Sequence, residues 1–210
     1  MLYLFLLLLI IFCVYKYDIL EVHKNKYFFY NLILLSFILL AGLSYRLGID
    51  NMVYLDEFQY YDIDKGLSIE NIFSYRGRQP LWVLLSLYCK SIFHDYHFFR
   101  LIHSILVNGL VLLAFRKLTN KIFSIVLFYY VLSYFEFNFQ VMRQSIAVAI
   151  FLNTVPYFRN NQWWKYYFLN ILGALFHEAA IITFLVPIMK ILGMSKKMLI
   201  VYIGIIISGI

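Results

Sequence analysis

Arginine, histidine and carboxylate side chains stand at three separated places in this chain, and their types suit the handling of an anion and of a proton. Arg143 and Gln144, within Asn138-Phe139-Gln140-Val141-Met142-Arg143-Gln144-Ser145-Ile146-Ala147, lie between two apolar blocks. A guanidinium there offers a planar fork that fits phosphate or pyrophosphate oxygens. An arginine that snorkels to a membrane surface gives the same pattern. His177 follows Asn170, Gly173 and Ala174 at the spacing of one helix face. Its imidazole suits base, acid or donor work near neutral pH, or a bond across a helix pair. Glu178 points about 100° away from it on a helix and needs a partner, with Arg143 and Arg100 as candidates. The third place is Tyr45-Arg46-Leu47-Gly48-Ile49-Asp50-Asn51-Met52-Val53-Tyr54-Leu55-Asp56-Glu57. It opens a polar segment, roughly Ser44 to Gln79, that holds Asp50, Asp56, Glu57, Asp62, Asp64 and Glu70 with Arg46, Arg76 and Arg78. Those are more than half of the chain's 11 acidic residues, so polar chemistry is gathered at one rim.

The elements that must position these groups are apolar. The composition is 63% hydrophobic and 14% charged, against about 25% charged in a soluble domain. The apolar residues fall in blocks suited to crossing a bilayer, without the alternation of a membrane β-barrel. The expected fold is all-α: one polytopic transmembrane helix bundle over 1–210, with about seven hydrophobic segments and one long extracytoplasmic loop at 44–79. The segments are near Leu2–Tyr15, Tyr27–Leu43, Phe98–Phe115, Ile122–Phe139, Ser145–Phe158, Tyr166–Ile191 and an incomplete Met198–Ile210. That last segment suggests a chain continuing past its last residue.

Charge sets the expected orientation. Lys16, Lys24 and Lys26 put the first link in the cytoplasm, the N-terminus outside and the acidic loop outside. Pro80–Phe93 is short, starts with proline and contains Lys90. If it does not span, the links bearing Arg116, Lys117 and Lys121, and Arg159 and Lys165, fall inside, as the charge rule prefers. Arg143 then shares a side with the Asp50 loop. The cost is that Lys196 and Lys197 fall outside.

Other chemistries are missing. No Gly-rich phosphate loop, His-Glu-x-x-His or Gly-x-Ser-x-Gly occurs. Cys13 and Cys89 lack partners at metal-ligand spacing, and no metal or other cofactor is expected. The net charge of +7 is scattered rather than striped, which argues against nucleic acid. Arg100, His103 and Asn108 occupy one apolar block, Arg100 read as an interface anchor and His103 as a structural hydrogen-bond partner.

Taken in order, three motifs resemble the EpsG family of bacterial membrane proteins, related to Wzy-type polysaccharide polymerases. They are Tyr45-Arg46-Leu47-Gly48-Ile49-Asp50 with Tyr54, then Arg143-Gln144-Ser145-Ile146-Ala147, then Ala174-Leu175-Phe176-His177. Two departures stand out. Gln79-Pro80-Leu81-Trp82 replaces a Glu-Pro-Gly-Phe pattern, and Glu178 follows the histidine. The resemblance implies a multi-pass protein of the bacterial cytoplasmic membrane, here an N-terminal fragment. It would assemble exopolysaccharide, capsule or O-antigen by transferring a polyprenyl-pyrophosphate-linked glycan to an acceptor sugar. Its implied partners are that lipid-linked oligosaccharide, the bilayer and other polysaccharide assembly proteins. The implied roles are Arg143, Arg46 and Arg78 on pyrophosphate, Asp50 or His177 as base with Asp56 in reserve, and Tyr54, Tyr60 and Tyr61 on sugar rings, with Gln144 beside Arg143. A flippase, an assembly partner or an inactive truncated copy are the alternatives.

Overall fold

The computed structural model describes residues 1–44 and 47–191. The described residues form helices joined by turns and links, without strands. Helix α1 (Leu2–Cys13) runs into a π-helical turn at Val14–Ile19, and α2 (Lys26–Gly42) returns beside it. The segment expected as a loop folds into two helices, α3 (Ile49–Tyr60) and α4 (Ile69–Ser74). Then come α5 (Pro80–Ile92), α6 (Tyr96–Leu118), α7 (Ile122–Leu132), α8 (Tyr134–Phe139), α9 (Met142–Arg159) and α10 (Trp163–Ala174). A 3-10 helix at Glu178–Leu185 and α11 (Val186–Ile191) close the described chain. Leu2–Ile19 and Tyr96–Leu118 are long and apolar enough to cross a membrane. The last expected segment, Met198–Ile210, and the pair Lys196 and Lys197 lie outside the described residues.

The bundle has two chemically different ends. At one, Asp18 accepts from the Ser124 amide at 2.7 Å and hydroxyl at 2.9 Å. Lys26 reaches the Asn120 carbonyl at 3.1 Å, and Lys121 pairs with Glu21 at 2.9 Å. These bonds gather the end of the π-turn, the start of α2 and the α6–α7 link at a basic end. At the other end α3 and α4 form a polar lobe. The Tyr96 hydroxyl donates to Asn51 Oδ1 at 2.7 Å, tying the start of α6 to α3.

Helix α6 is the central post. Arg100, His103, Ser104 and Asn108 are all buried along it. Asn108 donates to Asn138 Oδ1 at 2.8 Å and accepts from the Tyr129 hydroxyl at 2.9 Å. Buried polar groups cost several kcal/mol unless bonded, so this network fixes α6 against α7 and α8. Arg100 is not the surface anchor expected: it is 2% exposed. It donates to the Ala41 carbonyl at 2.6 Å and Ser44 Oγ at 2.9 Å, and covers the Phe139 ring. The last carbonyls of α2 are unpaired and carry the negative end of the helix dipole, which draws the cation inward. His103 faces the Met142 carbonyl at 2.9 Å, the structural role foreseen.

Two elements decide where the site forms. Helix α5 starts and finishes at the lobe end. The Leu81 amide donates to the Leu175 carbonyl at 3.0 Å. Lys90, near its other end, donates to the carbonyls of Gln59 at 2.8 Å and Tyr61 at 2.6 Å. The second element corrects an expectation: Tyr166–Ile191 is not one continuous helix. Helix α10 stops at Ala174, and the 3-10 helix folds back along it. Thr183 Oγ1 donates to the buried Asn170 Oδ1 at 2.8 Å, and the Tyr166 hydroxyl to the Thr183 carbonyl. Residues 163–185 are thus a helical hairpin with His177 at its tip. Gly173 packs on α9, where a β-carbon would lie 3.5 Å from the Ala147 carbonyl oxygen.

Candidate functional site

The site forms where the N-terminus of α9, the start of α5, the lobe and the hairpin tip converge. Arg143 stands in the first turn of α9, where unpaired amides already create positive potential. Its Nη1 donates to Gln79 Oε1 at 3.0 Å, and its Nε is buried without a partner. None of the ion pairs among the described residues includes it. A half-buried guanidinium with a spare donor and no carboxylate is a ready anion receptor.

Gln79 is fixed by the backbone around it. It caps α5 in the extended region, which the following proline requires. Its Nε2 points at Glu178 Oε2 from 3.5 Å, a long contact. One amide therefore stands between a cation and a carboxylate. Arg78, the preceding residue, donates Nη2 to Glu57 Oε1. Beside this ion pair lies a cavity of about 450 Å³ lined by Glu57, Tyr60, Tyr61, Ser74, Tyr75, Arg76 and Arg78. The Tyr61 phenol is pushed above its ordinary range by burial first and then by Glu57, while Arg78 and Arg143 oppose the shift. That places both arginines within electrostatic reach of the cavity wall.

His177 lies in the turn, outside either helix of the hairpin. Its backbone is extended, and its Nδ1 accepts from the Ala179 amide at 3.2 Å, capping the 3-10 helix. Burial first, and then the Arg143 cation, hold the imidazole below its ordinary value, with Glu178 opposing. A neutral imidazole carries one N–H. With Nδ1 accepting, the proton sits on Nε2, and the free nitrogen of His177 is a donor. The 3-10 helix behind it runs eight residues, well beyond the usual three or four.

Of the residues singled out in the sequence, Arg143, Arg78 and His177 come together here. Gln144 sits beside Arg143 on the exposed side of α9. Asp50 is exposed in the first turn of α3 and makes no side-chain bond to the described residues. It is positioned through Gly48, whose φ of +86° suits only glycine. A β-carbon on Gly48 would lie 2.4 Å from the Phe139 carbonyl, so α3 starts hard against the α8–α9 corner that leads to Arg143. Arg46 lies outside the described residues. Tyr54 and Tyr61 do not offer ring faces to a ligand: they are 9% and 3% exposed, Tyr54 packing 5.2 Å from Trp82 and Tyr61 4.7 Å from Tyr75. Tyr60 is exposed at the cavity. Asp56 faces outward.

In the sequence Glu57 is one acid of the polar segment between Ser44 and Gln79. Its signal was the buried face of α3, in which Asn51, Tyr54 and Phe58 recur at helical spacing and leave Glu57 beside the packed stripe. Glu178 was noticed, but nothing in the sequence joined it to Gln79. Among the described residues no three His, Cys, Asp or Glu side chains gather as a metal-ligand set.

Residues 27–210 match the model of a family described as the EpsG family. No curated protein matches the chain, and no solved structure does.

Proposed function

Since the chain belongs to the EpsG family, a polysaccharide polymerase-like family with a general role in exopolysaccharide biosynthesis, we propose that it is a membrane polymerase. It would transfer a glycan from a polyprenyl-pyrophosphate carrier to a sugar hydroxyl at the lobe face. The carrying observation is Arg143: a cation at a helix N-terminus, with a spare donor, no carboxylate and His177 within electrostatic reach. Cleaving the bond to pyrophosphate develops negative charge on the leaving oxygens. Donors aimed at that charge lower the barrier most when they are fixed beforehand. Gln79 fixes Arg143, and the cap fixes His177 with its Nε2–H outward. Arg143 and His177 hold the leaving group, and Arg46 is a further cation proposed from the sequence alone. Arg78 and Tyr60 border a cavity of suitable size for a sugar, and Gln144 flanks its approach. Pyrophosphate leaves readily, so the scheme calls on no metal. The acceptor hydroxyl must also lose a proton, and Asp50 and Glu178 are exposed carboxylates available to take it. His177, pinned as a donor, serves the leaving group rather than the proton.

The reading is tested with Arg143→Ala. Long-chain polymer should vanish from cells while the amount of protein in the membrane is unchanged. In vitro, polymerisation of purified lipid-linked repeat units should fall about 10²–10³-fold, the usual loss for one preorganised transition-state donor. Normal chain length in that variant would overturn the assignment. Transport of lipid-linked units into vesicles, without polymerisation, would favour a flippase.

A further inference from the structure

We propose that Glu178 is the proton acceptor of the transfer, an inference that rests on the polymerase reading above. The argument is one of elimination and geometry. His177 is excluded as base in its neutral form, because Nδ1 accepts from the Ala179 amide and Nε2 therefore holds the proton. Glu57 is committed to Arg78, and its second oxygen is buried. Asp50 stands on α3, with no side-chain bond to the described residues that fixes it. Glu178 is the carboxylate that the hairpin delivers to Arg143. It is the first residue of the 3-10 helix, exposed, and adjacent to His177. One oxygen meets Gln79 Nε2 at 3.5 Å, while Gln79 Oε1 takes Arg143 at 3.0 Å.

The amide between them has a chemical purpose. A direct pair between Arg143 and Glu178 would neutralise both, leaving neither a free anion receptor nor a free base. Gln79 offers its oxygen to the cation and its N–H to the carboxylate, so it orients both and keeps them apart. The cation and the base then flank one point from either side, as the reaction requires. The acceptor oxygen bonds to the anomeric carbon as that carbon's bond to the pyrophosphate oxygen breaks. The bonding pair leaves with the polyprenyl pyrophosphate near Arg143 and the His177 Nε2–H. The hydroxyl proton passes to the Glu178 carboxylate and then to water.

The test uses the whole protein in lipid nanodiscs and purified polyprenyl-pyrophosphate-linked repeat units, with polymerisation rate measured across pH. Glu178→Gln should lower kcat roughly 10²–10⁴-fold, the range for a lost general base. KM for the lipid-linked donor should change little, and the acid limb of the pH profile should disappear. Glu178→Asp should retain part of the rate and the acid limb. A wild-type rate and pH profile in Glu178→Gln overturns the proposal. So does a loss in which Glu178→Asp is as inactive as Glu178→Gln, since that marks a structural role. Arg143→Ala separates the two levels. Its loss of activity alongside a normal Glu178→Gln defeats only the role of Glu178. Its normal activity, or no polymerisation by the unaltered protein, defeats the polymerase reading and this inference with it.

Discussion

At the residue scale, His177 shows how one hydrogen bond assigns a role. The cap through Nδ1 stabilises the 3-10 helix and also dictates that Nε2 donates. His177→Ala loses both, and the lost cap alone costs about 1 kcal/mol. His177→Asn keeps a capping oxygen and a donor on a shorter side chain. We expect polymer output to fall strongly in His177→Ala and partly in His177→Asn, with the Ala variant also more sensitive to protease at the turn. Equal output from the two variants would remove His177 from the reaction. The imidazole's lowered pKa gives the sign of the pH effect. The folded form resists protonation relative to the unfolded form, whose ordinary value is about 6.5. The turn is therefore fully stable above that value and loosens as pH falls below it.

At the scale of elements, the hairpin of α10 and the 3-10 helix carries the site. Its two arms are stitched by Thr183 to Asn170, whose side chain is 1% exposed. Thr183→Val keeps the shape and removes the hydroxyl that Asn170 Oδ1 shares with the Ala180 carbonyl. An unsatisfied buried acceptor costs about 1–3 kcal/mol. We expect a lower melting temperature in detergent and reduced polymer without any change in chain-length pattern. An unchanged melting temperature would show that the arms do not depend on this bond. Helix α3 carries a lesson of the same kind. Its buried face at Asn51, Tyr54 and Phe58 was present in the sequence, yet the density of acids hid a helix inside an apparent loop. Charge spoke for exposure, and spacing spoke for packing on Trp82 and Phe99; the packing prevailed.

At the scale of the whole molecule, the fold separates a basic end from a polar lobe. We propose from the positive-inside tendency that the basic end faces the cytoplasm and the lobe faces outward. With Cys13 and Cys89 replaced by serine, a cysteine at Tyr60 should react with an impermeant maleimide in intact cells. A cysteine at Arg159 should react only after permeabilisation. The reverse labelling would invert the topology. The described chain turns at His177 and heads back toward the basic end.

The sequence by itself determined the helical class and the polar segment, and it singled out Arg143, Arg78 and His177, which the fold brings to one face. Those follow from hydrophobic block length, local charge and side-chain chemistry, all of which are local properties. Only the tertiary structure decided that Tyr54 and Tyr61 are packing residues, that Arg100 is buried, and that Gln79 joins Arg143 to Glu178. The apolar run from Tyr166 onward gave no break signal, because a helix and a tight hairpin bury the same residue types. What turned the chain was an extended His177 capping its own next turn, with Asn170 meeting Thr183 across the fold. Such bonds join residues 13 and 99 positions apart, and no local pattern encodes them.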